Sequence, residues 1–150
     1  MRSAYFDVAY LAKLYWREPD SDAVASLASR YDVLACCLHG RAEFAAVGHR
    51  KLREGSATLA QARSILHQLK LEADNGAVQW LPLDHEVIAI CEDVLTSHHG
   101  ALYLRAGDAL HLACAKVHGF TEIYSNDRHL LAAASAFGIA GRSVTDPACR

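Results

Sequence analysis

The sequence predicts an α/β domain built on a parallel sheet covered on both faces by helices. Two observations carry this. Short apolar segments alternate along the chain with longer segments of helical periodicity, in the order strand, helices, strand, helices, strand, helices, strand, helix. The composition, 52% hydrophobic and 21% charged over 150 residues, is that of a globular chain long enough for one sizeable core. The reading is therefore a single domain over residues 1–150.

The first strand is Ala4-Tyr5-Phe6, ending at Asp7. Val8 to Tyr15 follows as a helix with Leu11, Leu14 and Tyr15 on one side. Glu18-Pro19-Asp20-Ser21 interrupts it and offers an N-cap to a helix whose face is Val24, Leu27, Ala28 and Tyr31. Val33 to Cys36 is the second strand. The helix after it runs from about Leu38 to Lys51 and carries Glu43. Past the Glu54-Gly55-Ser56 turn, Thr58 and Gln61 have capping-box spacing. Leu59, Ala62, Leu66 and Leu69 then mark a helix ending near Asn75-Gly76, which makes a helical hairpin with its predecessor.

Val78 to Leu81 is the third strand, stopped by Pro82. Asp84 caps a helix with the face Val87, Cys91, Val94 and Leu95. His98-His99-Gly100 is a loop. A helix carrying Asp108 then extends to His118-Gly119 and is almost wholly apolar after its acid. Glu122 to Ser125 is the fourth strand. Asn126-Asp127 caps a helix through Ala136, and Arg142-Ser143-Val144 reads as a short edge strand.

Composition excludes some functions. A net charge of −2 gives no global nucleic-acid footprint, so contact with a polyanion must rest on a local basic patch. The N-terminus lacks the apolar core of a signal peptide, and no run approaches a membrane span, so a cytoplasmic protein without membrane contact is expected. Five Cys with no C-x-x-C pair read as buried or incidental thiols.

Four acids carry the functional signal. Asp7 follows strand one and Asp127 follows strand four, where open α/β sheets place their sites. Asp108 opens an apolar helix, and Glu43 joins the group if its helix leans over the same edge. Clustered carboxylates repel one another unless protonated or bridged by a cation. Oxygen ligands without organised His or Cys favour Mg²⁺ or Mn²⁺, which suits phosphodiester hydrolysis. Each acid also has a plainer reading: Asp127 as an N-cap, Asp108 as a partner of the helix dipole, Glu43 on a solvated face. Asp7 is the hardest to explain without a ligand.

At these residues the chain resembles the PIN-domain family and, within it, VapC-type ribonuclease toxins. The matching segments are Tyr5-Phe6-Asp7 with Leu11-Ala12-Lys13-Leu14-Tyr15 and Glu18-Pro19; Arg41-Ala42-Glu43; Arg105-Ala106-Gly107-Asp108-Ala109-Leu110-His111-Leu112-Ala113; and Ser125-Asn126-Asp127-Arg128-His129-Leu130. They fall in the family's order over nearly the whole chain. The resemblance implies a three-layer α/β/α PIN-like domain with a mainly parallel sheet of four to five strands. It also implies an Mg²⁺- or Mn²⁺-dependent endoribonuclease acting as the toxin of a type II toxin–antitoxin system. Asp7, Glu43, Asp108 and Asp127 match the family's catalytic and metal-holding acids, and Ser125 matches a supporting hydroxyl. The partners implied are an RNA substrate, a cognate antitoxin and a second copy in a homodimer.

Two positions depart from the pattern. Many relatives carry Ser or Thr directly after the first acid, and here stand Val8 and Ala9. A hydroxyl six residues before the Glu is replaced by Cys37, a poorer donor. Both losses imply weaker support of the metal site. They motivate an alternative of another class, a PIN-fold module that binds RNA or protein with little catalysis. A phosphohydrolase of the haloacid-dehalogenase type ranks below both, because the second Asp that chemistry needs is Ala9 here.

Arg105 and Lys13 are the candidate RNA contacts, with Arg41 and Arg128 also close in sequence to an acid. His111, one turn after Asp108, reads as packed beside the site, and His129 similarly. Trp16 reads as core or interface rather than a base-stacking platform. The hairpin's Leu stripe reads as core on one side, with a homodimer or a partner's helix available to the rest.

Overall fold

The structure is a computed structural model that describes residues 1–98 and 100–146. His98 lies at a helix C-terminus, where its Nδ1 meets the Val94 carbonyl at 2.8 Å; His99 and Cys149 lie outside the described residues.

Five strands form one parallel sheet: β1 (Ser3–Phe6), β2 (Val33–Cys37), β3 (Val78–Leu81), β4 (Glu122–Tyr124) and β5 (Ala140–Arg142), in the order β3-β2-β1-β4-β5. Helices α1 (Val8–Tyr15), α2 (Ser21–Ala28), α3 (Gly40–Arg53) and α4 (Leu59–Asp74) pack on one face. Helices α5 (His85–Ser97), α6 (Ala106–Val117) and α7 (Arg128–Ala133) pack on the other. The three-layer α/β/α expectation holds, with five strands.

The two-residue period of the strands builds both cores at once. Ala4, Phe6, Leu34 and Cys36 point to the α1–α4 side, while Tyr5, Ala35 and Cys37 point to the α5–α7 side. Every residue of β2 is buried, as a central strand covered on both faces requires. Helix α6 runs buried from Ala109 to Ala115 except for Leu110 at its edge, except that it also exposes its first turn.

Local signals acted where expected. Asp84 Oδ1 accepts from the Glu86 and Val87 N–H groups at 3.1 Å each. Thr58 and Gln61 form the reciprocal capping box. Others were displaced by tertiary contacts. Asp20 occupies the N-cap position of α2 at φ 68° but makes no capping bond, because Ser21 instead accepts from the Glu18 N–H at 3.0 Å. Helix α3 starts at Gly40 rather than Leu38, since the Leu38 N–H is held by the Leu81 carbonyl at 2.9 Å. The last helix breaks at Ala133 into a 3₁₀ turn, Ala134–Phe137, closed by Gly138 at φ 72°. The edge strand sits two residues earlier than expected. Ser143 and Val144 leave it because Asp146 and the Tyr10 hydroxyl take their N–H groups, at 3.1 and 2.9 Å.

Gly40 sets where α3 sits. A Cβ there would lie 2.7 Å from Cys36 Sγ and 2.9 Å from Val8 Cγ2, both buried on the sheet side of the helix. Gly40→Ala should therefore push α3 off the sheet and destabilise the domain by about 1–3 kcal/mol, measured by urea unfolding; an unchanged midpoint would refute the close approach.

Candidate metal and phosphate site

The strand order reverses beside β1: the chain passes from β1 to β2 on one side, and β4 lies on the other. A crevice opens beyond the strand C-termini at such a switch point. Asp7 immediately follows β1, and Ser125, Asn126 and Asp127 follow β4. Asp108 enters from the first turn of α6 and Glu43 from the first turn of α3. Asp7, Glu43, Asp108 and Asp127 line one cavity of about 570 Å³ together with Arg50, Arg105 and His111. All four sequence-derived acids therefore share a single hollow.

Asp7 is 5% exposed. Its Oδ1 accepts from the Tyr10 N–H at 2.8 Å, so the carboxylate caps α1, and its Oδ2 accepts from the Ser125 hydroxyl. Burial pushes its carboxyl above the ordinary range, against the pull of the Ser125 and Tyr10 hydrogen bonds. Ser125 also receives the Asp127 N–H at 2.9 Å, so one buried hydroxyl fastens the ends of β1 and β4 together. Asp127 does cap α7, accepting from His129 and Leu130 at 2.8 and 3.0 Å, and it lines the cavity as well. Capping and site membership are not alternatives here.

Asp108 is also raised, first by burial and then by the charge of Asp127, with Glu43 adding to the repulsion. Glu43 moves the other way. Burial alone would raise it, but the hydrogen bond and charge of His111 outweigh that and hold it below the ordinary range. His111 Nε2 lies 2.8 Å from Glu43 Oε2, and His111 Nδ1 lies 2.9 Å from the buried Tyr5 hydroxyl. Gly107 gives Glu43 its room, since a Cβ at that position would sit 2.9 Å from Oε1.

The donor set fits a hard divalent cation. The cavity presents four carboxylates, two of them raised by burial and one of those also by a neighbouring charge, which is the disposition a cation relieves.

The basic residues sort themselves. Arg105, exposed one turn before Asp108, lines the cavity. Lys13 is not among the residues lining it: its ammonium donates to the Pro19 carbonyl at 2.7 Å and lies 3.7 Å from Glu18. Arg41 faces a separate apolar hollow with Leu66 and Trp80, and Arg128 is exposed outside the main cavity. Arg50, which sequence reasoning missed, lines the cavity; its signal is the seven-residue spacing from Glu43, two helical turns along one face. His39 and Tyr103 were also missed. His39 sits four residues before Glu43, and Tyr103 is an exposed ring 4.5 Å from that of His129 in a hollow shared with Arg105 and Asp108. Trp16 is buried in the core.

The sequence matches the model of the PIN domain over residues 4–136. The chain belongs to the PIN domain family. Its fold is shared with the FitAcB structure from Neisseria gonorrhoeae (17% identity, 94% of this chain and 97% of that one, TM-score 0.67). It is shared too with VapBC2 from Rickettsia felis bound to a promoter DNA fragment (12%, 94% and 98%, 0.66). A third relative in fold is VapBC-5 of Mycobacterium tuberculosis, a member of the VapBC family of toxin–antitoxin systems (17%, 95% and 98%, 0.57). No curated protein matches the chain in sequence. Among the described residues, no helix of this PIN domain is long and apolar enough to cross a membrane.

Asp7 supplies a test that needs no substrate. The folded state holds its proton more tightly than the unfolded chain does, so the cost of the buried carboxylate is absent below the unfolded value of about 3.9. That cost grows as pH rises through the higher folded value. Asp7→Asn keeps an acceptor for Tyr10 and removes the charge. In chelator, the variant should melt above wild type, with a gap that widens from acid toward neutral pH; a gap constant with pH would refute the buried charge.

Proposed function

We propose that this PIN domain is a metal-dependent endoribonuclease, the toxin of a type II toxin–antitoxin pair acting in the cytoplasm. The observation that carries the reading is the convergence of Asp7, Glu43, Asp108 and Asp127 from four separate elements on one cavity that also holds Arg50 and Arg105. The shared fold with VapBC and FitAB components supports it. On the same ground we propose RNA as substrate, a cognate antitoxin as partner and a homodimer as the working assembly.

Asp7, Asp108 and Asp127 would hold Mg²⁺ or Mn²⁺, with Glu43 completing the set. When bound, the ion supplies Lewis acidity for hydrolysis of a phosphodiester. The chain's own residues do the rest. Ser125 fixes Asp7 relative to Asp127, and His111 orients Glu43. Arg105 and Arg50 offset the negative cavity so that a phosphate can approach the acids.

A second reading, a PIN-fold module that binds without cutting, is favoured by Val8 directly after Asp7, where no hydroxyl supports the acid. One assay separates the two. Purified protein is incubated with a structured RNA in Mg²⁺ or Mn²⁺, alongside Asp7→Asn and Asp108→Asn. Ribonuclease action predicts cleavage by wild type and a loss of at least about 100-fold in either variant, with circular dichroism unchanged. Equal turnover in all three would sink the assignment, and RNA binding without cleavage would favour the module.

A further inference from the structure

Beside the carboxylates lies a second cluster of different chemistry. His39, Glu43 and His111 each offer a ligand atom, and these atoms all lie within 4.8 Å of one another. His111 Nε2 is 2.8 Å and His39 Nε2 3.7 Å from the same oxygen, Glu43 Oε2. The two imidazole rings face each other with centroids 4.2 Å apart. We propose that these three residues form a distinct site for a borderline divalent ion of the Zn²⁺ type, separate in chemistry from the Mg²⁺- or Mn²⁺-type acids and sharing only Glu43 with them.

Three observations support the assignment. The first is the ligand set. Two imidazoles and one carboxylate, with further positions open, suit Zn²⁺ and its neighbours far better than Mg²⁺, which favours oxygen throughout. The second is access: Glu43 and His111 line the open cavity, and Glu43 is 39% exposed.

The third is the environment of the rings. His111 is buried, with its Nδ1 against the Tyr5 hydroxyl, which is itself held by the Cys37 N–H at 3.0 Å. A ligating imidazole needs such an acceptor for its second nitrogen, so that the proton resides on Nδ1 and the Nε2 lone pair is free. A simple His111–Glu43 ion pair would use neither His39 nor this arrangement. His39 contributes a ring whose Nε2 meets only the Gly107 carbonyl, at 3.1 Å, and the distant edge of Glu43, while its Nδ1 is buried without a hydrogen-bond partner. A metal on His39 gives that ring a reason to sit there. Helical spacing provides the chelate, because positions 39 and 43 lie one turn apart at the start of α3.

The test reads binding, not cleavage, so it stands apart from the ribonuclease reading. Chelator-treated protein is titrated with Zn²⁺ by calorimetry and with Co²⁺ by visible absorption, in wild type, His39→Gln and Asp108→Asn. Wild type should take one equivalent of Zn²⁺ and give the d–d bands of Co²⁺ on nitrogen and oxygen ligands. His39→Gln should weaken Zn²⁺ by at least about tenfold, and Asp108→Asn should leave it within about twofold. Should His39→Gln fail to fold, Glu43→Gln must show the same loss. Unaltered Zn²⁺ affinity in His39→Gln, or loss in Asp108→Asn, would place the ion among the carboxylates and overturn the proposal.

Discussion

The structure turns on the buried carboxylate at the end of its central strand. Asp7 is a charge-bearing group inside a layer of apolar residues, and it is tolerable because both of its oxygens are occupied. The Tyr10 N–H ties it to α1, and the Ser125 hydroxyl ties it to the end of β4. Ser125 in turn receives the Asp127 N–H, so one side chain sets the spacing between two strand ends. Without that link, the crevice where the strand order reverses would have no fixed floor. The remaining acids then arrive on helices whose positions follow from the sheet: α3 seated by Gly40 against Cys36 and Val8, and α6 buried along its length behind β1 and β2.

The departures noted in the sequence acquire a physical counterpart. A hydroxyl six residues before Glu43 is missing, and Cys37 stands there with its side chain buried. Its backbone N–H, however, holds the Tyr5 hydroxyl, Tyr5 meets His111, and His111 meets Glu43. Orientation of Glu43 thus comes through two rings rather than one small hydroxyl. Rings locked by packing lose little freedom on doing so, since Tyr5 is fully buried and contacts His111 and Phe120 edge-on. No comparable relay reaches the position after Asp7, where Val8 packs into the α1–α4 core and offers no donor.

What was legible in the sequence was whatever is encoded locally. The period-2 strands, the Thr58–Gln61 box and the Asp84 cap depend on neighbours within a few residues, and they were read to within a residue or two. The four acids were legible because strand ends are where an α/β sheet exposes polar groups. The illegible features depend on long-range partners. Ser143 and Val144 leave the edge strand for Asp146 and for Tyr10, the latter well over a hundred residues away in sequence. Lys13 sits beside acids in sequence, yet folding delivers it to Glu18 and Pro19, whereas Arg50, two turns beyond Glu43, reaches the cavity. His39 could have been found from its four-residue spacing to Glu43, but only the fold shows that His111 joins them.

Glu43 therefore answers to two sets of neighbours. Its first-turn position on α3 and the space left by Gly107 bring it to the cavity of Asp7, Asp108 and Asp127, where every other acid repels it. His111 and His39 attract it in the opposite sense, and His111 wins, because its hydrogen bond holds the carboxyl below the ordinary range despite burial. A carboxylate kept ionised in this way remains a ligand across neutral pH, whichever ion approaches. A cation among the acids must draw Glu43 from His111, whereas an ion on the imidazoles takes it where it already lies. The identity of the metal and the direction in which Glu43 turns are thus one question, set by two histidines that carry no charge in the four-acid pattern.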